Sequence, residues 1–510
     1  MGGVHHRGFW IKLVLAAALV ALADWVFYQG GHSHGWLGLF GAVLALAAGL
    51  AMPALRHDRR ALAALSLAVM MAGAMAIDAT ILPFLLFWIA LGLAILLPGT
   101  ARFDDGWRWA QRLFAHGFKA LFGPLIDLFK LARVHRRKPA AVQGLRRTLP
   151  ALILPLVGSA VILMLFASAN PVIESFFASL SLTLPADLAF ERIAFWGVVS
   201  VISWGVLRPR RTMPMFGTFG GSGELRLPGV NPVSVLLSLV LFNLLFAMQN
   251  AMDLAWLWGL VPLPQGMTLA DYAHRGAYPL VLTALLAGLF VLVTLRPGSQ
   301  TAASPLVRRL VMLWIGQNVV LVASAMLRLY DYIDAYSLTR LRIAALAWMV
   351  LVALGLGIIL WRLLKEKSGA WLINANCVAV ATLLLGYAFV DTGALAAQWN
   401  VRHAREVDDT GAGIDLCYLA ELGTSSLLPL IELEGRPLEP VLLARVKTLR
   451  QMVQYRQAQL LHEGGWTLLG QRRLTRAQAL VGPVRDYPGQ RFDCSGVPYQ
   501  APPAPAGEPG

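Results

Sequence analysis

Charged side chains are scarce in this sequence. Asp, Glu, Lys and Arg make up 14% of its 510 residues, against about 25% in an ordinary soluble domain. With a mean hydropathy of +0.62, that shortage excludes a soluble globular enzyme and a disordered chain, both of which need polar, charged surface. Cysteine is rarer still: Cys377, Cys417 and Cys494 are the whole complement, which excludes a small disulfide-stapled fold. A phosphate cradle is also missing. The one Gly-rich stretch, Phe216 to Gly223, is followed by Glu224 and broken by Pro228 and Pro232, not by the Lys and Ser/Thr that open a phosphate-binding helix. It reads as a linker.

Apolar side chains are what the sequence has, at 57% of the chain. A spanning helix needs about 20 mostly apolar residues. Eleven runs qualify: 10–28, 36–52, 61–77, 81–97, 149–169, 188–207, 233–247, 278–295, 306–327, 341–360 and 371–390. The third and fourth together would make a helix of roughly 55 Å at 1.5 Å per residue, against a hydrocarbon core of about 30 Å. The break Asp78-Ala79-Thr80 and Pro83 therefore predicts a hairpin. The expected fold class is all-α: a polytopic helical membrane protein of about eleven spans, with a small helical extracytoplasmic tail. Its expected divisions are a four-helix segment (1–97), a cytoplasmic interfacial segment (98–148), a membrane core (149–391), a helical tail (392–499) and a disordered Pro/Ala/Gly end (500–510).

The chain carries 43 basic and 28 acidic residues, with a pI near 10.2. Residues 392–510 are balanced at 12 and 12, so the excess lies among the apolar runs. That placement argues for membrane orientation and against nucleic-acid binding. Alternate loops hold 26 basic residues on one side and 5 on the other. Basic loops stay in the cytoplasm, which predicts a cytoplasmic amino terminus and a periplasmic tail in a bacterial inner membrane. The first run reads as a signal anchor, not a cleaved peptide.

Between the spans, residues 102–138 alternate aromatic and basic side chains at roughly helical spacing, as interfacial helices do. Arg136, Arg137 and Lys138 follow, a topology determinant that could also bind anionic lipid headgroups. The tail holds helical stretches at 414–422 and 440–461. Cys417 and Cys494 both fall in it, in an oxidising compartment, and are expected to bridge. No cofactor is expected, since His32 and His34 are too few to hold a metal.

Three polar clusters fall beyond the outer ends of the spans, where each ionisable group needs a partner. Asn250 and Asp253 follow the seventh run, with Trp256 and Trp258 as an interfacial belt. Asp253 is a helix cap or a site residue. Asp271, His274 and Arg275 share a helical face. They suit an acid-oriented imidazole or, with Thr268, a capping box. Ser324, Arg328, Tyr332 and Tyr336 form a stripe at i+4 spacing, followed by Arg340 and Arg342. Arg328 either binds an anion through its planar fork or pairs with Asp331 or an acid on another span. Gln317, Asn318, Asn374 and Asn376 are expected to make hydrogen bonds between helices.

Asn250-Ala-Met-Asp253 with Leu257-Trp258, the stretch Tyr272 to Pro279, Ser324-Ala-x-x-Arg328 and the stretch Tyr336 to Arg342 resemble the bacterial multi-pass membrane family catalogued as domain of unknown function 4153/4173. Asn400-Val401 and Asp415-Leu-x-Tyr418-Leu419 extend the likeness into the tail. Ser337 departs from the family pattern, which favours Gly there. The resemblance implies an inner-membrane protein and supplies no catalytic residues. Three roles stay open. The first is a non-enzymatic part in envelope homeostasis or signalling, with a periplasmic protein partner. The second is an enzyme or flippase acting on a lipid-linked anionic substrate at the periplasmic face. The third is a secondary transporter, disfavoured by few midplane charges and no inverted repeat.

Overall fold

The computed structural model describes residues 2–100, 103–127, 190–210, 212–217, 231–257, 286, 289–290, 303–409, 411–484 and 486. The chain divides into two compact units, residues 1–103 with 110–215, and residues 104–109 with 216–510.

The first unit holds α1 (Gly2–Ala23), α2 (Gly35–Ala51), α3 (Arg59–Ile77), α4 (Ile81–Leu96), most of the amphipathic α5 (Gly106–Leu121) and α6 (Phe190–Leu207). Asp58 starts α3 by accepting from the Arg60 amide at 2.9 Å, which satisfies one of the free N–H groups of a first turn. At Asp78 the backbone turns extended, and Pro83 sits in the first turn of α4, where its missing N–H is harmless. The 61–97 stretch is thus the hairpin its sequence predicts. Small residues bring α2 against α3. A Cβ on Gly38 would lie 2.6 Å from the Ala76 nitrogen and closer still to the Ala72 carbonyl oxygen, so the two backbones touch, as small-residue faces allow in lipid. Helices α1 and α6 run antiparallel: the Phe9 ring meets Trp204 at 5.7 Å, and Asp24 meets Arg192 at the other end at 2.6 Å.

The second unit holds α7 (Pro232–Leu257), α8 (Pro305–Tyr336), α9 (Arg340–Lys365) and α10 (Gly369–Ala388). Helices α7 and α8 run parallel, because Asn243 donates to the Leu310 carbonyl and Asn250 to the Gln317 carbonyl at the same offset along the chain. Trp314 packs this pair, with Phe242, Phe246 and Phe290 around it at 5.3–5.9 Å. Both helices continue beyond the apolar runs 233–247 and 306–327, because the polar residues that follow find partners across the pair.

The tail folds as α11 (Thr392–Arg402), α12 (Leu416–Glu421), α13 (Leu427–Glu434), α14 (Pro440–His462) and α15 (Leu468–Val481). Its core of Leu419, Leu427, Leu430, Leu433 and Val446 is at most 1% exposed and is continuous with Leu329, Ile333 and Leu338 at the end of α8. The tail therefore shares a core with the membrane helices of its unit. Helices α12 and α14 fall where the sequence places helical stretches. Helices α11, α13 and α15 were not legible in it, since at 11, 8 and 14 residues they are too short to show a long periodic stripe.

Among the described residues, eight helices are long and apolar enough to cross a membrane, and α2 is a shorter apolar helix. Nine of the eleven expected runs fall on these helices. The run 149–169, nearly all of 278–295, the cluster Arg136, Arg137 and Lys138, and the end 500–510 lie outside the described residues.

Candidate functional site

The polar residues that follow the seventh run are helical, on the last turns of α7. Asn243, Asn250 and Asp253 share the face turned to α8, and all three are buried. Asn243 also donates to the Leu239 carbonyl of its own helix, at 2.7 Å. At the end of this ladder Asp253 receives Gln249 Nε2 at 3.0 Å on one oxygen. Its other oxygen receives Ser324 Oγ and Arg328 Nη2, each at 3.3 Å. Asp253 and Arg328 are 2% and 8% exposed at the side chain. A carboxylate and a guanidinium at such burial are tolerable only together, since desolvating either alone is far more costly. Arg328 thus takes the acid on another helix and not Asp331, and Asp253 is an ion-pair partner and not a cap.

The next turn makes a second cluster. Tyr332 and Tyr336 lie with ring centroids 4.9 Å apart. The Arg342 guanidinium sits 4.1 Å above the Tyr332 ring and donates to the carbonyls of Tyr336, at 2.6 Å, and Ser337. Ser337 has φ 71°, a positive value that glycine adopts readily and serine rarely. Arg342 satisfies the carbonyls that end α8, as a basic side chain at a helix C-terminus does.

The tail closes over that turn. The Asn400 carboxamide donates to the Leu338 carbonyl at 2.9 Å and accepts from the Leu338 amide at 2.7 Å. The Arg340 amide donates to the Tyr418 hydroxyl at 2.7 Å. Burial pushes the Tyr418 hydroxyl above its ordinary pKa. Asp391 caps α11 through the Ala394 amide at 2.9 Å, accepts from Ser425 at 3.2 Å and pairs with Arg473. Burial raises the Asp391 pKa, but the Ala394 amide, Arg473 and Ser425 together outweigh it and hold the carboxyl below its usual range.

Of the residues singled out in the sequence, Asn250, Asp253, Ser324 and Arg328 come together, and Tyr332, Tyr336 and Arg342 form the adjoining cluster. Asp271, His274 and Arg275 lie outside the described residues, as does Cys494. Cys417 is disulfide-bonded, and Cys377 is a free thiol. Among the described residues, Asn318 and Asn376 do not make the expected bonds between helices but donate to carbonyls of their own helices, at Trp314 and Leu372, while Asn374 does reach another helix, accepting from the Gly106 amide at 2.8 Å.

Sequence reasoning missed a network in the first unit. Asp24 accepts from Arg192 at 2.6 and 2.8 Å, from Trp196 at 2.8 Å and from Gln29 at 2.8 Å. The available signal was one acid late in the first run and one arginine early in the sixth. By the alternation of spans these stand at the same depth.

Long apolar helices, with charged groups largely buried in pairs between them, define a polytopic helical membrane protein. Within that class, residues 61–433 match the family model described as Domain of unknown function (DUF4153), and the chain belongs to that family. The match runs from α3 to α13 and includes both polar clusters. No curated protein matches the chain, and no solved structure does.

Proposed function

We infer that the protein is a non-enzymatic component of a bacterial inner membrane, serving envelope homeostasis or signalling, with a periplasmic tail that meets a protein partner. The carrying observation is the Asp253–Arg328 pair. Two charged groups that a substrate site would aim at a ligand are instead turned toward each other between α7 and α8.

Two relations support eleven spans. Parallel α7 and α8 need one return crossing between them, which the run 278–295 can supply. In the first unit, α6 runs antiparallel to α1, so the chain needs one more crossing between α4 and α6, which the run 149–169 can supply. With an odd number of crossings and the split of basic loops, the amino terminus is cytoplasmic and the tail is outside. Cys494 is then the natural partner of Cys417.

The test compares strains carrying a gene deletion, a deletion of residues 392–510, and Asp253→Asn with Arg328→Gln. With membrane levels of protein matched, the double variant should leave lipid and glycan profiles and detergent resistance as in wild type, while the tail deletion should behave as the gene deletion. A double variant that changes lipid or glycan profiles as the gene deletion does would favour an enzyme or flippase instead. A reporter fused after Gly510 that is active only in the cytoplasm would overturn the orientation.

A further inference from the structure

A second feature lies between α1 and α6 of the first unit. A cavity of about 740 Å³ runs along these helices, walled by Leu13, Ala17, Val20 and Ala21 on α1 and by Ser200 and Trp204 on α6. Phe9 lies near one end and Asp24 near the other. That distance is roughly 22 Å at 1.5 Å per residue, a large part of a hydrocarbon core about 30 Å thick. A volume of this size falls in the range that holds small molecules.

The two ends differ in charge. At the Asp24 end one carboxylate meets one guanidinium, that of Arg192. At the Phe9 end Asp127 pairs with both Arg208, at 3.4 Å, and Arg210, at 3.0 Å. It also accepts from Trp204 Nε1 at 2.9 Å. The Arg208 guanidinium stands 5.3 Å over the Phe9 ring, and Lys12, one turn along α1, is within electrostatic reach of Arg208. Among the described residues this end gathers three cations and one carboxylate, of which Asp127 lines the cavity and Lys12, Arg208 and Arg210 stand just outside its lining. The imbalance sits at the mouth of an apolar channel in a membrane helix pair.

We propose that the α1–α6 groove is a binding site for one anionic phospholipid, its acyl chain lying along Leu13, Ala17 and Val20 and its phosphate held by Lys12, Arg208 and Arg210. An apolar wall open to a bilayer takes hydrocarbon, and a basic pocket between spanning helices takes an anionic headgroup. Asp127 fixes the two arginines and leaves their surplus charge for the phosphate. The site is independent of the orientation and role inferred above, because it needs only that the chain sit in a membrane.

The test is native mass spectrometry of the full chain in detergent, titrated separately with phosphatidylglycerol and phosphatidylcholine of matched chains. Wild type should retain phosphatidylglycerol about tenfold more tightly, from the charge near the mouth. Lys12→Gln leaves the Asp127 pairs intact and should remove most of that preference without weakening phosphatidylcholine. Ala17→Phe fills the groove and should displace both lipids. Equal binding of the two lipids to wild type, or full phosphatidylglycerol binding by Ala17→Phe, would overturn the proposal. So would displacement of the lipid by inorganic phosphate alone, which would mark a small-anion site. A disulfide between Ala17→Cys and Leu156→Cys would give the groove to the chain's own segment. Should Ala17→Phe not fold, the Lys12→Gln titration decides alone.

Discussion

Asn400 holds both backbone groups of Leu338, donating to its carbonyl at 2.9 Å and accepting from its amide at 2.7 Å. Asn400 is on the first helix of the tail and Leu338 in the turn between α8 and α9, so one carboxamide stands in for a strand partner and pins the tail to the membrane helices. Both bonds are buried, and leaving such groups unpaired costs about 1–3 kcal/mol each. Asn400→Ala should therefore destabilise the tail by a few kcal/mol. Hydrogen exchange should quicken at Leu338 and through α11 while α3 and α4 stay protected. Unchanged exchange at Leu338 would mean the clamp contributes nothing.

The Asp253–Arg328 pair should show the asymmetry of buried charges. Removing one partner strands the other, at a cost of about 3–5 kcal/mol, whereas replacing both with apolar groups of similar volume is often nearly neutral. Asp253→Leu and Arg328→Met should each lower the melting temperature in detergent, and the double variant should recover most of the loss. A double variant with additive losses would show that the two residues act through separate partners.

The parts of the fold legible in the sequence are those that lipid alone dictates. Helices α3, α4 and α9 follow from uninterrupted apolar length, and the Asp78–Thr80 turn from the impossibility of one 37-residue span. The outer ends of α7 and α8 were not legible. Gln249, Asn250 and Asp253 resemble a connection until Ser324 and Arg328 are seen opposite them, and that register is a long-range property. Arg328 posed a choice between Asp331 nearby and an acid elsewhere, and only packing decides for Asp253. Asp24 and Arg192 pose the same problem across 168 positions. Asn400 was visible as part of a family motif, but its target, a backbone turn, leaves no mark in sequence.

The contact of α2 with α3 depends on the missing side chain of Gly38. A Cβ there would run into the Ala72 carbonyl and the Ala76 nitrogen, which are backbone atoms and cannot step aside. Gly38→Val should force the helices apart and cost about 1–3 kcal/mol or more, as overpacking does. Gly73→Ala is the control, since nothing lies within 4 Å of a Cβ at that position. Thermal unfolding in detergent should separate the two. Equal stability of Gly38→Val and wild type would refute the close approach.

Acid should loosen the tail through Asp391. Its pKa is lowered in the folded state, so its stabilising contribution is complete above the unfolded value of about 3.9. It is lost as the pH falls through the lower folded value, because the unfolded chain then binds the proton more readily. Asp391→Asn cannot titrate and leaves Arg473 without its anion at every pH. The variant should therefore be less stable than wild type at pH 7, and the difference should shrink as the pH drops below about 4. Glu432, held low by its bonds to Arg402, titrates in the same direction, so the variant keeps some acid sensitivity of its own. Exchange rates across α11 and α15, followed from pH 7 to pH 3 in both proteins, would show the two curves converging. A gap of constant size over that range would mean that the Asp391 carboxylate charge does not hold the tail.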